Sequence, residues 1–466
     1  MFIKQLYTNC LAEAAYYIES EGEAAIIDPL RDVDQYIELA KERNTSIKYI
    51  FETHFHADFV SGHIDLAKAT GAPIVYGPET ETRFKATIAK DKEIFKIGKI
   101  TLEVLHTPGH TIESTCYLLK DENGVDNAIF TGDTLFVGDV GRPDLVGPNA
   151  TKEEMAGLLY ESLQNKILPL ADNVIVYPAH GPGSSCGKNI GSSTFSTIGE
   201  QKETNYALKQ QSKDEFIKAV SEGLATPPNH FPINAKINKE GYESLDVLLE
   251  KSLTPLSVEQ FKALAEDGII LDTRHGSTFT QGYVPASIFI GLEGKFAEWA
   301  GSLLAFDKNI ILVTEQGKER ETVVRLARVG FSKIEGYLKG GYEAWVEAGE
   351  KSDLIIDVEP DEVAMDIPFD PNLVIVDVRK EMEFANGHVK DAVNIPLSNL
   401  IDPASMTPIE ENDNLYIHCA GGYRSVIAAS LLKRQGIHNL RNVISGWERL
   451  KNEPGIKTEK EAEVLN

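Results

Sequence analysis

The sequence predicts an α/β protein of several domains, and three observations support this. At 466 residues the chain is too long for a single hydrophobic core, while apolar and charged fractions of 42% and 25% are typical of an ordinary globular protein. Short β-branched runs alternate with helical patterns through the first ~240 residues. A pattern of strand, loop and helix then occurs twice.

The first domain, predicted over residues 1–240, is expected to contain strands that end in polar turns. Its β-runs are AAIIDPL, IKYIFETH, APIVYG, ITLEVLHTPGH, NAIFTGD and NVIVYPAH. Patterns such as DVDQYIELAKER predict helices between them. Histidine and aspartate cluster where the strands end, so rigid strands would deliver polar side chains into loops at one edge.

Two similar units follow, predicted over residues 253–352 and 360–466. Equivalent residues lie 102 to 105 positions apart: Asp272 and Asp377, Arg274 and Arg379, Arg320 and Arg424, Trp345 and Trp447. An offset this constant predicts a domain duplication. Strand and helix alternate within each unit, which predicts a small α/β domain with a parallel sheet.

Composition excludes several function classes. A formal net charge of −25 argues against a nucleic-acid partner, which would need Lys and Arg contacts to phosphate. No apolar run approaches the roughly 20 residues that span a bilayer, and the first residues lack a signal-peptide pattern, so we expect a cytoplasmic protein with no membrane partner. The four cysteines are widely spaced, which excludes a disulfide framework. We expect a homo-oligomer, because symmetric dimers are the commonest assembly.

The stretch THFHADFVSGH, residues 53–63, is dense in side chains that bind metals. The residues that follow predicted strands here and in three later segments are His54, His56, Asp58, His110, Asp133 and His180. A lone histidine after a strand is usually structural, but this many together predict a metal site. Imidazole and carboxylate in combination suit zinc or iron.

The order HxHxD, TPGH, TGD and PAH resembles the metallo-β-lactamase superfamily, which implies an αββα sandwich for residues 1–240. Members that bind two zinc ions carry HxHxDH, and Phe59 stands where the final histidine would be. A phenyl ring cannot bind a metal in that way, which argues against a two-zinc hydrolase of the glyoxalase II kind. His63 could in principle replace the ligand, although its spacing is wrong for the same turn.

The sequence also resembles the persulfide dioxygenase branch of that superfamily, including the segment FTGDTLFVGDVGRPDL. The resemblance implies one Fe(II) per chain, with Zn as the alternative. It implies metal ligands His54, His110 and Asp133, with His56, Asp58 and His180 as supporting or proton-handling groups in the same pocket.

The implied reaction is oxidation of a low-molecular-weight thiol persulfide, such as glutathione persulfide, by O₂ to sulfite and free thiol, in sulfide detoxification. The thiol carrier, whether glutathione, coenzyme A or another, would be selected by pocket walls. Loops after Gly181 and around Asn229 to Asn238 are expected to build those walls.

The segment HCAGGYRS, residues 418–425, places a cysteine at a strand end before a Gly-rich loop, an arginine and a helix. Backbone N–H groups around the sulfur would bind an anion there. With DVR, GHV and the terminal GW, the unit resembles the rhodanese sulfurtransferases over about residues 360–455. The resemblance implies that Cys419 carries a sulfane sulfur and exchanges it with thiosulfate, sulfite or a persulfide. It implies anion stabilisation by Arg424 and by the loop residues Ala420, Gly421, Gly422, Tyr423 and Ser425.

The first of the two similar units has no cysteine in its loop. Aligning Arg320 with Arg424 puts Glu315 at the cysteine position, so this copy is predicted to be catalytically inactive. A spacer or a docking surface is its expected role.

Cys186 lies in a Gly/Ser-rich loop six residues after His180, where we expect it to be exposed and to border the metal pocket. It either relays persulfide or is an incidental loop cysteine, and the sequence leaves both open. For the whole chain, the main alternative is a zinc-dependent thioester hydrolase of the glyoxalase II type with an appended rhodanese domain. A third is a non-catalytic sulfide sensor or sulfur carrier.

Overall fold

The computed structural model describes residues 1–145, 150–210 and 212–461. The chain divides into two compact units, Met1–Leu248 with Val324–Phe331, and Leu249–Val323 with Ser332–Asn466. Residues 462–466, the end of the third predicted domain, lie outside the described residues. Among the described residues, no helix is long and apolar enough to cross a membrane. The domain boundaries drawn from the sequence stay predictions.

Six strands form the first sheet of the first unit, and their spatial order is that of the sequence. They are β1 (Phe2–Thr8), β2 (Glu13–Ser20), β3 (Glu23–Ile27), β4 (Ser46–Phe51), β5 (Ile74–Tyr76) and β6 (Thr87–Ile88). The pairs from β1 to β3 are antiparallel and those from β3 to β6 are parallel. Helices α1 (Asp34–Glu42) and α2 (His63–Thr70) make the crossovers on either side of β4.

The second sheet of this unit also has six strands. They are β7 (Ile94–Ile97), β8 (Ile100–His106), β9 (Thr115–Lys120), β10 (Asp126–Gly132), β11 (Ile175–Pro178) and β12 (Ser196–Thr197), in the order β12-β11-β10-β9-β8-β7. Helix α3 (Lys152–Ser162), continued by a π-helical turn at Leu163–Ile167, joins the parallel pair β10 and β11. The helices that follow are α4 (Ile198–Thr204), α5 (Lys213–Ser221), α6 (Phe231–Glu240) and α7 (Leu245–Ser252).

Alternation along the strands builds four layers in this unit. In β2, Tyr16 packs with residues of the second sheet, whereas its neighbour Tyr17 faces Tyr36 of α1. A third cluster joins Leu118 of β9 to Leu159 of α3 on the outer face of the second sheet. Burying side chains of this size contributes roughly 1.5–3 kcal/mol each. The predicted αββα sandwich is confirmed.

The first sheet of the second unit has five parallel strands. They are β13 (Pro255–Leu256), β14 (Ile269–Asp272), β15 (Ile288–Phe289), β16 (Ile310–Val313) and β17 (Ile334–Leu338), in the order β13-β17-β16-β14-β15. The helices in this part of the chain are α8 (Val258–Ala265), α9 (Gly276–Gln281), α10 (Phe296–Leu303), α11 (Glu319–Arg328) and α12 (Gly341–Glu347), and the division between the two units falls within α11.

The second sheet of this unit repeats the first strand for strand. Its strands are β18 (Ile356–Val358), β19 (Leu373–Asp377), β21 (Val393–Asn394), β22 (Asn414–His418) and β23 (Leu440–Val443), in the order β18-β23-β22-β19-β21. A separate antiparallel pair joins β20 (His388–Val389) to β24 (Thr458–Glu459). Its helices are α13 (Pro360–Asp366), α14 (Glu381–Ala385), α15 (Tyr423–Arg434) and α16 (Gly446–Leu450), with 3₁₀ turns at Leu397–Asn399 and Pro403–Met406. The two predicted α/β domains with parallel sheets are confirmed.

The Asp-x-Arg pairs that indicated the duplication do the same structural work in both copies. Each arginine donates to the carboxylate two residues before it, with a closest approach of 2.6 Å for Arg274 to Asp272 and for Arg379 to Asp377. Each also donates to a glycine carbonyl eight residues further on. These buried ion pairs therefore hold the turns after β14 and β19.

Candidate functional site

A chain of hydrogen bonds orients His54 as the backbone leaves β4. Asp28, which follows β3, accepts from the Thr53 N–H at 2.8 Å and from the Thr53 hydroxyl at 2.9 Å. That hydroxyl has one hydrogen, which Asp28 takes, so it accepts from His54 Nδ1–H, 2.9 Å away. His54 Nε2 therefore carries a lone pair, and it lies 3.8 Å from Asp133 Oδ2.

His110 and Asp133 bring two further strand ends to the same point. His110 Nδ1 donates to the Arg142 carbonyl at 2.9 Å, so its Nε2 also carries a lone pair. That Nε2 lies 3.4 Å from Asp133 Oδ2. One donor atom from each of His54, His110 and Asp133 lies within 4.8 Å of the other two.

The surroundings of this trio fit a metal ion. His54 Nε2 and both Asp133 oxygens are buried and have no hydrogen-bond partner among the described residues. Such atoms cost free energy unless something binds them. Burial, reinforced by the neighbouring imidazoles of His56 and His110, lowers the pKa of His54 well below its usual value, so its ring is neutral. Two imidazoles and a carboxylate with unused lone pairs suit zinc or iron, so the residues present fit the predicted metal.

The three predicted supporting groups lie beside this trio. His180 Nδ1 donates to the Ala12 carbonyl at 3.1 Å, and its Nε2 lies 3.4 Å from Asp58 Oδ2 and 3.5 Å from Asp133 Oδ1. Burial opposes its protonation, but the carboxylates of Asp58 and Asp133 raise the pKa of His180. His180 therefore connects the predicted metal ligands to Asp58.

His56 turns toward carboxylates behind the loop. Its Nε2 lies 3.1 Å from Asp28 Oδ1 and 3.6 Å from Glu52 Oε2. Burial, together with the charge of Asp28, raises the pKa of Glu52 well above its usual value. Three further groups within the described residues also have one donor atom each within 4.8 Å: His56, Asp58 and His180; Asp133, His180 and Cys186; Asp28, Glu52 and His56.

Phe59 and His63 have the roles of packing residues in the structure. Phe59 is fully buried, and its ring packs on His56 with centroids 4.3 Å apart. His63 lies away from the trio, with Nδ1 3.5 Å from Glu52 Oε1 and its ring 4.9 Å from that of Phe84. His63 therefore does not replace the histidine that Phe59 displaces.

Asn238 of α6 was expected only as the end of a loop in the pocket wall, and the sequence did not predict the hydrogen bonds that it makes. Its buried side-chain amide donates to the carbonyls of His56 and Phe59, both at 2.8 Å, while its oxygen accepts from the Ser61 N–H at 2.9 Å. Asn238 thus fixes the backbone of the loop that carries His54, His56 and Asp58. The expected loop around Asn229 to Asn238 is mostly helix α6, which begins next to a proline at position 232 and ends before a left-handed glycine at position 241.

Cys186 is buried, not exposed as the Gly/Ser-rich sequence suggested. It packs with Ala57, Phe136 and Phe231, and its sulfur belongs to a group with Asp133 and His180. Burial, with the nearby carboxylates, raises the pKa of this thiol well above its usual value. Cys186 therefore borders the candidate metal site as a protonated, shielded thiol.

Cys419 follows β22, and the loop behind it bends around its sulfur. The side chain is 1% exposed, Gly422 N–H donates to Sγ at 3.1 Å, and Ser425 Oγ lies 3.7 Å away. Gly422 has a left-handed φ of 107°, which favours glycine. A Cβ on Gly446 would lie 2.2 Å from the Cys419 carbonyl, so glycine is required there too.

Two of the predicted anion-binding residues in this loop, Arg424 and Tyr423, make hydrogen bonds to other parts of the protein. Arg424 donates to both oxygens of Glu383, at 2.7 and 2.8 Å. Burial alone would lower the pKa of Arg424, but its hydrogen bonds to Glu383 and the charge of that residue raise the pKa above its usual value. Tyr423 donates its hydroxyl to the Gly291 carbonyl at 2.7 Å. Of the backbone amides from Ala420 to Ser425, only that of Gly422 has a described hydrogen bond to the sulfur. The roles of these residues stay predictions.

In the first of the two similar units, the residue equivalent to Cys419 is Thr314, one position before the Glu315 that the sequence alignment gave. The last paired residues of β16 and β22 are Val313 and His418, so the residues after them, Thr314 and Cys419, are equivalent. The assignment of Glu315 to that position was wrong, because counting back from the arginine assumes loops of equal length. A threonine cannot carry a sulfane sulfur, so this copy is still predicted to be inactive.

Two family models match the chain in separate regions. One, described as the metallo-beta-lactamase superfamily, matches residues 8–180, and the other, described as a rhodanese-like domain, matches residues 257–348 and 359–453. The first range contains His54, His110 and Asp133, and the last contains Cys419. Both candidate sites therefore lie within matched regions.

Curated relatives are similar to less than half of this chain. A Dictyostelium discoideum protein named glyoxylase B2 is 33% identical over 233 residues, which cover 45% of this chain and 73% of the relative. A Schizosaccharomyces pombe protein named probable hydroxyacylglutathione hydrolase glo2 is 34% identical over 177 residues, or 37% of this chain. The chain spans only 64% of that relative's length.

Solved structures are similar as well. A metallo-beta-lactamase from Staphylococcus aureus subsp. aureus COL is 32% identical, with a TM-score of 0.66, and the match covers 72% of this chain and 99% of that one. ETHE1 from Myxococcus xanthus is 28% identical, with a TM-score of 0.44 and coverage of 51% of this chain and 100% of that one. The S. aureus likeness extends beyond the αββα sandwich, since it covers more than the matched first region.

Proposed function

Because the chain belongs to the metallo-beta-lactamase superfamily and carries rhodanese-like domains after that fold, we propose that it joins two sulfur reactions. The first is the iron-dependent oxidation of a low-molecular-weight thiol persulfide, such as glutathione persulfide, by O₂. The second is sulfur transfer at Cys419. In balance, RSSH, O₂ and H₂O give RSH and sulfurous acid, which ionises to sulfite.

The observation that carries the first reaction is the trio of His54, His110 and Asp133 beside a buried Phe59. These three residues would hold the iron and would leave other coordination positions for substrate and O₂. Iron would supply the redox chemistry that O₂ requires, which zinc lacks. The chain's own contribution is positional: hydrogen bonds to Thr53 and to the Arg142 carbonyl fix both imidazoles in the metal-binding tautomer.

The groups beside the trio take supporting roles in this proposal. His56 lies near the carboxylate of Asp28, behind the loop. His180 Nε2 lies near Asp133 Oδ1 and near Asp58 Oδ2. His180 Nε2 can hold a proton next to the persulfide. Cys186, shielded and protonated, forms part of the pocket wall, and any part in moving sulfur would require the pocket to open.

The second reaction rests on the loop around Cys419. Its thiolate attacks the outer sulfur of thiosulfate, the S–S bond breaks, and sulfite leaves with the bonding electrons. The cysteine persulfide then loses its outer sulfur to an acceptor thiolate. Gly422 N–H donates to the sulfur, and Arg424 supplies positive charge nearby. In the reverse direction, sulfite released by the first reaction attacks the outer sulfur of the Cys419 persulfide, the S–S bond breaks, and thiosulfate and the Cys419 thiolate form, so one chain can couple the two reactions.

A zinc-dependent thioester hydrolase is the second candidate, since several curated relatives are named as hydroxyacylglutathione hydrolases. That activity would use the same trio and leave the Cys419 loop with a separate task. Phe59 argues against it if hydrolysis needs the second metal.

The deciding experiment compares the full chain loaded anaerobically with Fe(II) or with Zn(II). With glutathione persulfide, the iron form should consume O₂ and release sulfite in equal amounts, and the zinc form should do neither. His110→Ala should lose this activity and keep sulfur transfer from thiosulfate, whereas Cys419→Ser should show the opposite. Hydrolysis of a hydroxyacylglutathione by the zinc form, without O₂ uptake by the iron form, would overturn the proposal.

A further inference from the structure

The hydroxyl of Tyr423, in the Cys419 loop, contacts the first of the two similar units, residues 253–352, which is called the Cys-less copy below. It donates to the Gly291 carbonyl at 2.7 Å, and 132 positions separate the two residues in the chain. Gly291 lies between β15 and α10. A Cβ on nearby Gly294 would lie only 3.5 Å from the Tyr423 ring, so the chain around Gly291 receives this ring closely.

Helix α15, which begins at Tyr423, continues this contact along one face. Positions 423, 426 and 430 share a face of a helix, since they are separated by three and seven residues. A Cβ on Gly276 of the Cys-less copy would lie 4.0 Å from Val426, and the Phe289 N–H donates to Ser430 Oγ at 3.0 Å. The helix that carries the active loop therefore rests on the Cys-less copy from its first turn onward.

Several hydrogen bonds hold the loop within its own domain. Ser425 Oγ donates to the Gly422 carbonyl at 3.0 Å, and the N–H groups of Trp447 and Glu448 donate to the carbonyls of Cys419 and Ala420. Gly422, whose N–H points at the sulfur, immediately precedes Tyr423 and has a left-handed φ of 107°. Glycine permits many other backbone conformations, so an amide at this position keeps its direction only if its neighbours are anchored. On the far side, Arg424 is anchored by Glu383. Tyr423, the residue after this amide, connects the loop to the Cys-less copy through its hydroxyl.

We propose that the Cys-less copy serves as a positioning element for Cys419, acting through the hydrogen bond from Tyr423 to the Gly291 carbonyl. Tyr423 is then a positioning residue: it holds the Gly422 N–H on the sulfur, where that N–H stabilises the thiolate and the persulfide anion. This rests on the proposed sulfur transfer at Cys419. In this proposal, the Cys-less copy supports the sulfur transfer that takes place in the domain containing Cys419.

The test removes the hydroxyl alone, with Tyr423→Phe in the full chain. Alkylation of Cys419 by iodoacetamide, followed on its own peptide by mass spectrometry, should show a midpoint at higher pH and a rate at pH 7 reduced roughly 3- to 10-fold, an effect of the size of one lost hydrogen bond. Turnover of thiosulfate should fall by a similar factor. Oxygen uptake with glutathione persulfide should not change.

Two further variants sharpen the test. Gly291→Ala changes only the Cys-less copy, where the added Cβ would lie 2.9 Å from the Phe289 ring and displace the accepting carbonyl, so it should reproduce the effect. Tyr283→Phe removes a hydroxyl that donates to Asp353 at 3.0 Å, and should behave as wild type. Melting temperatures identify any variant that misfolds.

A Tyr423→Phe protein with the wild-type alkylation profile and wild-type turnover would overturn the proposal. Failure of the proposed function would look different: the wild-type chain would transfer no sulfur from thiosulfate. The alkylation profile needs no turnover, so it would still decide whether the Cys-less copy positions the loop.

Discussion

The ring of Phe59 lies on the imidazole of His56, with centroids 4.3 Å apart and ring planes 31° from parallel. This contact turns a position that could bind metal into part of the packing. It also directs His56 Nε2 toward Asp28 and Glu52, behind the loop. The difference between one metal and two can therefore be tested at a single side chain.

Phe59→His should raise the metal content of the chain. The new imidazole would follow Asp58, whose Oδ2 lies 3.4 Å from His180 Nε2, and these three residues would supply a second set of ligands. Metal analysis after loading with Zn(II) should give about one ion per chain for wild type and about two for the variant. Phe59→Leu, which removes the ring without adding a ligand, should stay at one. Equal content in Phe59→His and Phe59→Leu would contradict this reading.

Asn238→Ala should weaken both the fold and the metal site. The change leaves the carbonyls of His56 and Phe59 and the Ser61 N–H without their partner, which should cost about 3 kcal/mol of unfolding free energy. Affinity for Zn(II), measured by competition with a chelator, should fall roughly 10- to 100-fold, as for other residues that orient metal ligands.

Asn394→Ala is the matched control for that prediction. Asn394 makes a comparable clamp in the sulfur-transfer domain, donating to the carbonyls of Asp377 and Arg379 at 2.8 and 3.0 Å. It should destabilise the chain without changing zinc affinity. If Asn238→Ala lost stability but kept its zinc affinity, Asn238 would be a structural residue only.

The sequence predicts the position of a site residue when that position is determined by neighbouring residues in the chain. His54, His110 and Asp133 follow β-runs, and strands that end at one edge bring their next residues together, so this trio follows from local pattern. Asn238 lies about 180 residues from the loop that it clamps, and it binds backbone groups. No side-chain motif records such a contact.

The errors have equally specific causes. Cys186 was expected in an exposed loop because of its glycine and serine neighbours, but its burial comes from Phe136 and Phe231, which are distant in sequence. Glu315 was placed at the cysteine position by counting from an arginine, whereas strand pairing determines the register and selects Thr314. Long-range packing decided both.

The stability of the first unit should depend on pH through His63. Burial lowers the pKa of His63 to about 3, whereas an unfolded histidine titrates near 6.5. Between pH 3 and pH 6.5 the unfolded chain therefore binds a proton at His63 that the folded chain does not. Protonation of His63 does not reduce the free energy of unfolding above pH 6.5. Below that pH the free energy of unfolding falls by about 1.4 kcal/mol per pH unit, or about 2 kcal/mol at pH 5.

His63→Phe isolates this contribution. A phenyl ring can keep the packing against Phe84 and Tyr242, and Glu52 keeps the hydroxyl of Ser61 at 2.5 Å. Urea unfolding at pH 7 and pH 5 should show a smaller loss for the variant than for wild type. Parallel losses in the two proteins would mean that His63 takes up its proton in the folded state.

Glu383→Gln should make Cys419 more reactive, the opposite of Tyr423→Phe. Burial raises the pKa of Glu383, but the hydrogen bonds and charge of Arg424 lower it further, so the net shift is downward. The carboxylate is therefore charged throughout the neutral pH range and becomes protonated only at a pH below the usual glutamate pKa of about 4.3. With that charge removed, Arg424 acts on the nearby thiolate without a counter-ion, and the attraction between Arg424 and Cys419 already helps raise the pKa of Arg424.

Alkylation of Cys419 at pH 7 should therefore be several-fold faster in Glu383→Gln, with the same advantage over wild type from pH 6 to pH 8 wherever the thiol is the major form. Glu359→Gln is the control, because it breaks an exposed ion pair with Arg449 in the same domain. Stability should change by no more than about 1 kcal/mol in either variant, since both pairs are partly exposed. An unchanged alkylation rate in Glu383→Gln would contradict this prediction and mean that the charge of Arg424 does not stabilise the Cys419 thiolate.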